Sequence, residues 1–176
     1  MAIVWLFRRR LEDLLPMLRA KYKDFAISFR LEQAEKEVAA LPPAPTPAEA
    51  GSEPTPEERG RFEQIAEVSP RAAILELRRE LEEFLKGVAS EYNLDARPMS
   101  IASITRMLRS RNLIDSHTSA LLDDLRAIGN AAAHAGNETQ FSKEDAQRFR
   151  LLAEELFRRF ATIKNTLIAD PNATSL

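Results

Sequence analysis

The sequence contains no cysteine, and this absence removes several kinds of site at once. Without a thiol the chain forms no disulfide, no cysteine nucleophile and no cysteine-based zinc site. Histidine is nearly as scarce, since only His117 and His134 occur, seventeen positions apart. That spacing matches no histidine-based metal motif. The acidic residues mostly alternate with Arg and Lys, as they do on solvated helix faces, so we expect neither a metal nor a cofactor.

Glycine is also scarce, with five in 176 residues. The chain has no glycine-rich phosphate loop, no GxSxG nucleophile elbow and no HExxH pair, so the familiar hydrolase and nucleotide-binding motifs are missing. The formal net charge is only −2, which provides no overall basic field for binding nucleic acid. Any contact with RNA must therefore come from a local patch.

Helix-forming residues dominate the composition, which predicts an all-α protein with one domain of ordinary size and an appendage. Six of the ten prolines lie in residues 42–56, a stretch that predicts a semi-extended linker. Residues 1–41 would form the N-terminal appendage and residues 57–168 the helical domain. Residues 169–176 are predicted to be a flexible tail.

Start signals and apolar spacing predict the helices of that domain. At the first start, Thr55 is the cap, Pro56 takes the first helical position and Glu58 closes a capping box. The other predicted starts lie at Ser69-Pro70, Ser100, Ser116 and Ser142. Because the connections are short and the long helices amphipathic, we expect an antiparallel four- to five-helix bundle.

The N-terminus combines a short apolar run, residues 2–7, with three arginines at 8–10. The run is too short to cross a bilayer, which takes about 20 residues. One interpretation is an amphipathic helix that docks on a partner, a protomer or a membrane surface through residues 2–10. Another is the end of a transmembrane helix that lies upstream of the given sequence, and a third is simple core packing. We expect a cytoplasmic location, with the inner face of the cytoplasmic membrane as the alternative.

Phe25, Ile27 and Phe29 alternate with smaller or polar residues, which is the period of a half-buried strand. No second strand-like run exists, so a strand here would pair with another protomer or be an extended connector. Residues 31–41 are predicted to return to helix.

The segment LRAIGNAAAH, residues 125–134, contains the main candidate site. Steps of four residues advance only about 40° around a helix, so Arg126, Asn130 and His134 form a row on one face. The row has two interpretations. His134 can simply stabilise a helix C-terminus. Alternatively, His134 acts as acid and base, Arg126 holds a phosphate and Asn130 orients them, as in metal-independent phosphodiester cleavage with two rows facing across a dimer.

The stretch SPRAAILELRRELEEFLKGV, followed by LLDDLRAIGNAAAHAG and a capped last helix, resembles the HEPN superfamily. It is most similar to the uncharacterised HEPN-related domain found with type I restriction R subunits and in small prokaryotic defence-associated proteins. The resemblance covers residues 57–168. It implies a helical bundle that dimerises through the motif helices and, in active members, metal-independent RNA cleavage. Asn130 and His134 match the motif, but Gly129 occupies the arginine position, and Arg126 is the nearest substitute.

Three functions therefore stay open. The first is a dimeric HEPN-like interaction module that binds RNA or a partner protein in prokaryotic defence, with membrane tethering as an option. The second is a metal-independent ribonuclease with a composite site of Arg126, Asn130 and His134. The third is a purely structural scaffold. Gly129 in the arginine position and the absence of a basic surface favour the first.

Overall fold

The computed structural model describes residues 25–41, 55–91, 99–134 and 140–169, with side chains described to residue 90 in the second range and to residue 160 in the last. These ranges contain six helices and no strand, so the all-α prediction is confirmed. The helices are α1 (residues 25–40), α2 (Pro56–Val68), α3 (Pro70–Glu91), α4 (Ile101–Ser110), α5 (Ser116–His134) and α6 (Lys143–Ala169). Within the described ranges, no helix is both long enough and apolar enough to cross a membrane.

The helices begin where the start signals place them. Thr55 and Glu58 form a reciprocal capping box at α2, with bonds of 2.8 and 3.2 Å. The Ser69 hydroxyl accepts a backbone N–H bond of 3.2 Å in the first turn of α3. At α6, the Ser142 hydroxyl accepts from the Asp145 backbone N–H at 3.0 Å, and the Asp145 carboxylate accepts from the Ser142 N–H at 2.9 Å. Such caps satisfy orphan backbone donors and stabilise a helix by about 1 kcal/mol each.

The long helix α3 is central and packs against α2, α4, α5 and α6. Its apolar stripe is buried, as the three- and four-residue spacing predicts. Phe84 makes edge-to-face contacts with Phe157 and Phe160, at centroid distances of 4.8 and 5.9 Å. The largest fully buried side chains form one core: Leu31, Ile74, Leu81, Leu85, Ile104, Leu108, Leu121, Leu122, Leu125, Ile128, Phe149 and Phe160.

The predicted strand at residues 25–29 is wrong, because these residues belong to α1. Ile27, Leu31 and Ala34 are buried at steps of four and three residues, whereas Phe25 and Phe29 are 69% and 53% exposed. Three alternating apolar residues fit a strand, but the longer pattern fits a helix that buries Ile27 together with Leu31. With one face packed on the bundle, the backbone satisfies its hydrogen bonds internally and needs no partner strand.

The helix α1 also packs on the bundle instead of standing apart from it. Ile27, Leu31 and Ala34 belong to the common core. Three polar contacts join its other side chains to the bundle: Arg30 with Asp124, Glu35 with Arg148, and Glu37 with His117. Residues 25–40 thus form a sixth helix of the bundle. The predicted membrane contact at residues 2–10, most of the linker and the tail after residue 169 lie outside the described residues.

Candidate functional site at the α3–α5 seam

Helix α5 has one buried face and one partly exposed polar face. Its buried residues include Leu121, Leu125, Ile128 and Ala132. On the other face lie Arg126 and Asn130, both partly exposed, and the exposed His134. The structure therefore places the three candidate residues on the solvent side of α5, where the four-residue spacing predicts them.

Among the described residues, Arg126 has one weak partner. Its Nε lies 3.4 Å from Oδ1 of Asp123, one turn earlier on the same helix, and both side chains are about one-third exposed or more. A pair of this kind, at positions i and i+3 in solvent, contributes about 0.3–0.5 kcal/mol. Little free energy is therefore needed to free the Arg126 guanidinium for another anion.

A second guanidinium reaches the row from α3. Arg78 donates from Nη2 to Oδ1 of Asn130 at 3.1 Å. Its aliphatic chain lies directly over Gly129. A Cβ at residue 129 would lie 2.6 Å from Cδ of Arg78, closer than real Cβ atoms come to their neighbours, and 3.0 Å from Cγ. The missing side chain at Gly129 is therefore what makes room for Arg78.

Arg71 ties α3 to the C-terminal end of α5. Its Nε donates to the backbone oxygen of Ala132 at 2.7 Å, and its Nη2 donates to that of Ala133 at 3.3 Å. The last carbonyls of a helix have no intrahelical partner and carry partial negative charge, so a guanidinium is favoured there. Arg71 thereby holds the turn that carries His134.

Sequence reasoning missed both Arg71 and Arg78. The available signal was their spacing of seven, which puts them two turns apart on the same face of α3. Their neighbours on α3 were less informative, because Arg79 and Lys86 pair with glutamates four residues away, Glu83 and Glu82. Spacing could have placed Arg71 and Arg78 on one edge of the stripe, but only the packing shows that α5 lies against that edge.

The charge on Arg78 is not neutralised by any residue that the structure describes. Its only hydrogen bond there is to the neutral amide of Asn130. Its Nε is buried and has no hydrogen-bond partner. Its Nη1 also makes no hydrogen bond with the described residues, and the Arg78 residue as a whole is partly exposed. Arg78 is thus a partly buried cation whose guanidinium has N–H donors that the described residues do not use.

His134 stands apart from the other site residues. Across the described ranges its ring has no hydrogen-bond partner, so nothing there sets its tautomer or orientation. The structure therefore brings Asn130 together with Arg78, but it joins neither Arg126 nor His134 to them by a hydrogen bond. This arrangement is suited to holding an anion. A general base is ordinarily oriented by a second group, which the described residues do not provide here.

Within the described residues, no cluster of three His, Cys, Asp or Glu side chains could hold a metal ion.

Comparison with known proteins identifies a family. The family model described as "Domain of unknown function (DUF4145)" matches residues 61–169, more than half of the chain. The chain therefore belongs to the DUF4145 family. No curated protein and no solved structure matches it.

Proposed function

We propose that this member of the DUF4145 family is an RNA-binding helical module, in which the exposed face of α5 contacts the phosphate backbone. The observation that carries the proposal is the chemistry of that face. It has donors from Arg126, His134 and the α3 residue Arg78, with the amide of Asn130 between them. Guanidinium groups bind phosphate through two donors at once, which makes arginine a preferred residue for this contact.

The distribution of apolar side chains favours RNA over a protein partner. Among the described residues, the exposed large hydrophobic side chains are Phe25, Phe29, Val68 and Leu151, and none of them is on α3 or α5. The centre of a protein interface is usually rich in aromatic and apolar anchors. The α5 face has no such anchor, so an anionic ligand suits it better.

A dimer is part of the proposal, on the strength of the resemblance to the HEPN superfamily. One row contains few cations, which limits affinity because each phosphate contact adds a roughly equal electrostatic contribution. Two α5 rows related by a twofold axis double that number. The same resemblance supports a role in prokaryotic defence. Tethering to a membrane through residues 2–10 also belongs to the proposal, because a short apolar run is followed there by three arginines.

Binding is favoured over cleavage because of His134. Metal-independent cleavage needs a base within reach of the ribose hydroxyl and oriented for the transfer. His134 has no orienting partner among the described residues. A ribonuclease with a composite site of Arg126, Asn130 and His134 is therefore the alternative that the experiment must separate.

The test is a fluorescence anisotropy titration of a labelled single-stranded RNA in EDTA, at about 50 and 200 mM salt. We expect affinity to fall steeply with salt and to fall about fivefold in Arg126→Gln, which loses one charge-assisted contact. The matched control is Arg79→Gln, because Arg79 is an exposed arginine on α3 that pairs with Glu76 and Glu83. The oligomeric state is measured by light scattering on the same sample.

Each outcome has a definite meaning. No salt-dependent binding at about 100 µM protein contradicts RNA binding, since even non-specific complexes form at or below that concentration. A scaffold or a protein-binding module is then left. RNA cleavage in EDTA that His134→Ala abolishes establishes the ribonuclease alternative. A monomer in light scattering contradicts the dimer.

A further inference from the structure

We infer that Arg78 is the residue that holds a phosphate group at the centre of the α5 row, with Asn130 positioning it. This inference rests on the proposed function for the identity of the ligand as RNA. The anion site itself depends only on the surroundings of Arg78.

Arg78 lacks a counter-charge among the described residues. A guanidinium stays protonated in proteins, so Arg78 cannot become neutral when it is partly buried. Burying a cation without a partner is unfavourable. Among the described residues, however, Arg78 meets only the Asn130 amide and no carboxylate. An anion from outside the chain would supply the missing charge.

The side chain of Arg78 is also held in position by its packing and by one hydrogen bond. The aliphatic part of Arg78 fills the space that a side chain at residue 129 would occupy. Nη2 is fixed on Asn130, while Nη1 makes no hydrogen bond with the described residues. One donor therefore anchors the group, and another is left unused by the described residues on a side chain that is partly exposed. The amide nitrogen of Asn130 adds a donor next to it, because the amide oxygen is the atom that faces Arg78.

The position of Arg78 beside Asn130 also favours a phosphate site at the middle of the row. Arg126 and His134 lie one turn before and one turn after Asn130, about 6 Å away along the helix axis. Arg78 therefore adds its charge at the middle of three donor positions that follow one line. A single strand laid along α5 would present successive phosphates to Arg126, to Arg78 with Asn130, and to His134.

Two variants test Arg78 by different means. Arg78→Met keeps most of the aliphatic packing but removes the guanidinium. Gly129→Ala keeps every charge but places a methyl group 2.6 Å from Cδ of Arg78, which must then move. Their matched controls are Arg79→Met, on the same helix, and Gly87→Ala, where a Cβ meets nothing within 4 Å. Arg78→Lys serves as a further variant if Arg78→Met fails to fold, as judged by circular dichroism.

We expect Arg78→Met to weaken RNA binding about tenfold, the loss of one charge-assisted contact. The slope of log K against log salt should become shallower by about 0.7 for each α5 row in the complex, the value for one phosphate on a single strand. Arg78→Lys, with a point charge in place of a fork, should bind at an intermediate level. Gly129→Ala should weaken binding several-fold although the net charge is unchanged, and both controls should stay within about twofold of wild type.

A second measurement reports on Arg78 directly. The arginine Nε–H signals of the full-length chain are followed by NMR, with the Arg78 signal assigned by its loss in Arg78→Met or Arg78→Lys. Inorganic phosphate and the RNA oligonucleotide are added in separate titrations, with sodium chloride at matched ionic strength as the control. We expect both phosphate and RNA to shift the Arg78 signal, and chloride to leave it in place.

The outcomes separate this inference from the proposed function. Wild-type RNA affinity in Arg78→Met or Arg78→Lys, or an Arg78 signal unmoved by saturating RNA, overturns the role of Arg78 and leaves RNA binding intact. If wild type binds no RNA but phosphate moves the Arg78 signal, the anion site stands and the proposed function fails. If neither phosphate nor RNA moves that signal, the anion site is overturned.

Discussion

Helix α5 carries a charged contact on each flank, and the two flanks treat the charge differently. On the α1 side, the nearly buried carboxylate of Asp124 meets Arg30 at 3.0 Å. On the α3 side, the neutral amide of Asn130 is the one hydrogen-bond partner that the described ranges offer Arg78. The comparison suggests a division of roles. At the α1–α5 seam, the charged side chain is paired with an opposite charge of the same chain. At the α3–α5 seam, a cation remains available for a ligand.

On the paired α1 flank, two opposing effects act on the pKa of Asp124. Burial raises the pKa of Asp124, and Arg30 lowers it by a hydrogen bond and by its charge. Burial prevails, so the pKa of Asp124 stays above its ordinary value. A carboxyl group with a raised pKa in the folded state stabilises the fold most when it is protonated. That contribution is complete below about pH 4, and it is lost as the pH rises through the folded-state pKa.

The largest expected effect comes from Arg30→Met, which makes the paired flank resemble the unpaired one. At pH 7 the variant should lose about 2 kcal/mol of unfolding free energy, because a nearly buried carboxylate loses its charged partner. Since the pKa of Asp124 should rise further without Arg30, the deficit should shrink as the pH approaches 4. Urea unfolding at pH 7 and pH 4.5 measures both effects.

The control for that experiment is the double variant Arg30→Met with Asp124→Asn. It removes the carboxylate and should recover most of the lost stability at pH 7. A deficit that is equal at both pH values, or that the second substitution fails to relieve, would mean that Arg30 acts through packing and not through the charge of Asp124.

An intermediate effect is expected from two helical glycines that differ only in their neighbours. Gly87→Ala should stabilise the chain by about 0.5–1 kcal/mol, because alanine has the higher helix propensity and its Cβ meets nothing. Gly129→Ala gains the same propensity but must displace Arg78, and overpacking of this kind costs about 1–3 kcal/mol. It should therefore be neutral or destabilising in thermal unfolding. Equal stabilisation of the two variants would refute the close approach of Arg78 to α5.

The smallest effect concerns the second polar contact between α1 and α5. His117 Nδ1 lies 2.7 Å from the Glu37 carboxylate, and the His117 side chain is 47% exposed. Exposed pairs contribute little, so His117→Ala should change the unfolding free energy by less than about 0.5 kcal/mol. Urea unfolding of His117→Ala and Arg30→Met under the same conditions compares the two contacts. If His117→Ala lost as much unfolding free energy as Arg30→Met, the difference in solvent exposure would not explain how much each contact contributes.

Most of the bundle could be predicted because its signals are local. The caps at Thr55, Ser69 and Ser142 and the stripe of α3 depend on residues within one or two turns of each other. The error at residues 25–29 has the same origin, since three alternating residues are too short a window to distinguish a strand from a helix. The dimer, the RNA ligand and the roles of Arg126, Asn130 and His134 stay predictions.

The sequence by itself determined that α5 carries Arg126, Asn130 and His134 on one face and that Gly129 leaves an unfilled position beside them. These properties follow from the helical repeat of the sequence alone. Only the tertiary structure decided what fills that position. Arg78 is 52 residues from Asn130 in the chain, and no local rule brings it there. The packing of α3 against α5 does so, because both helices bury their apolar stripes in one core and so bring their polar edges into contact.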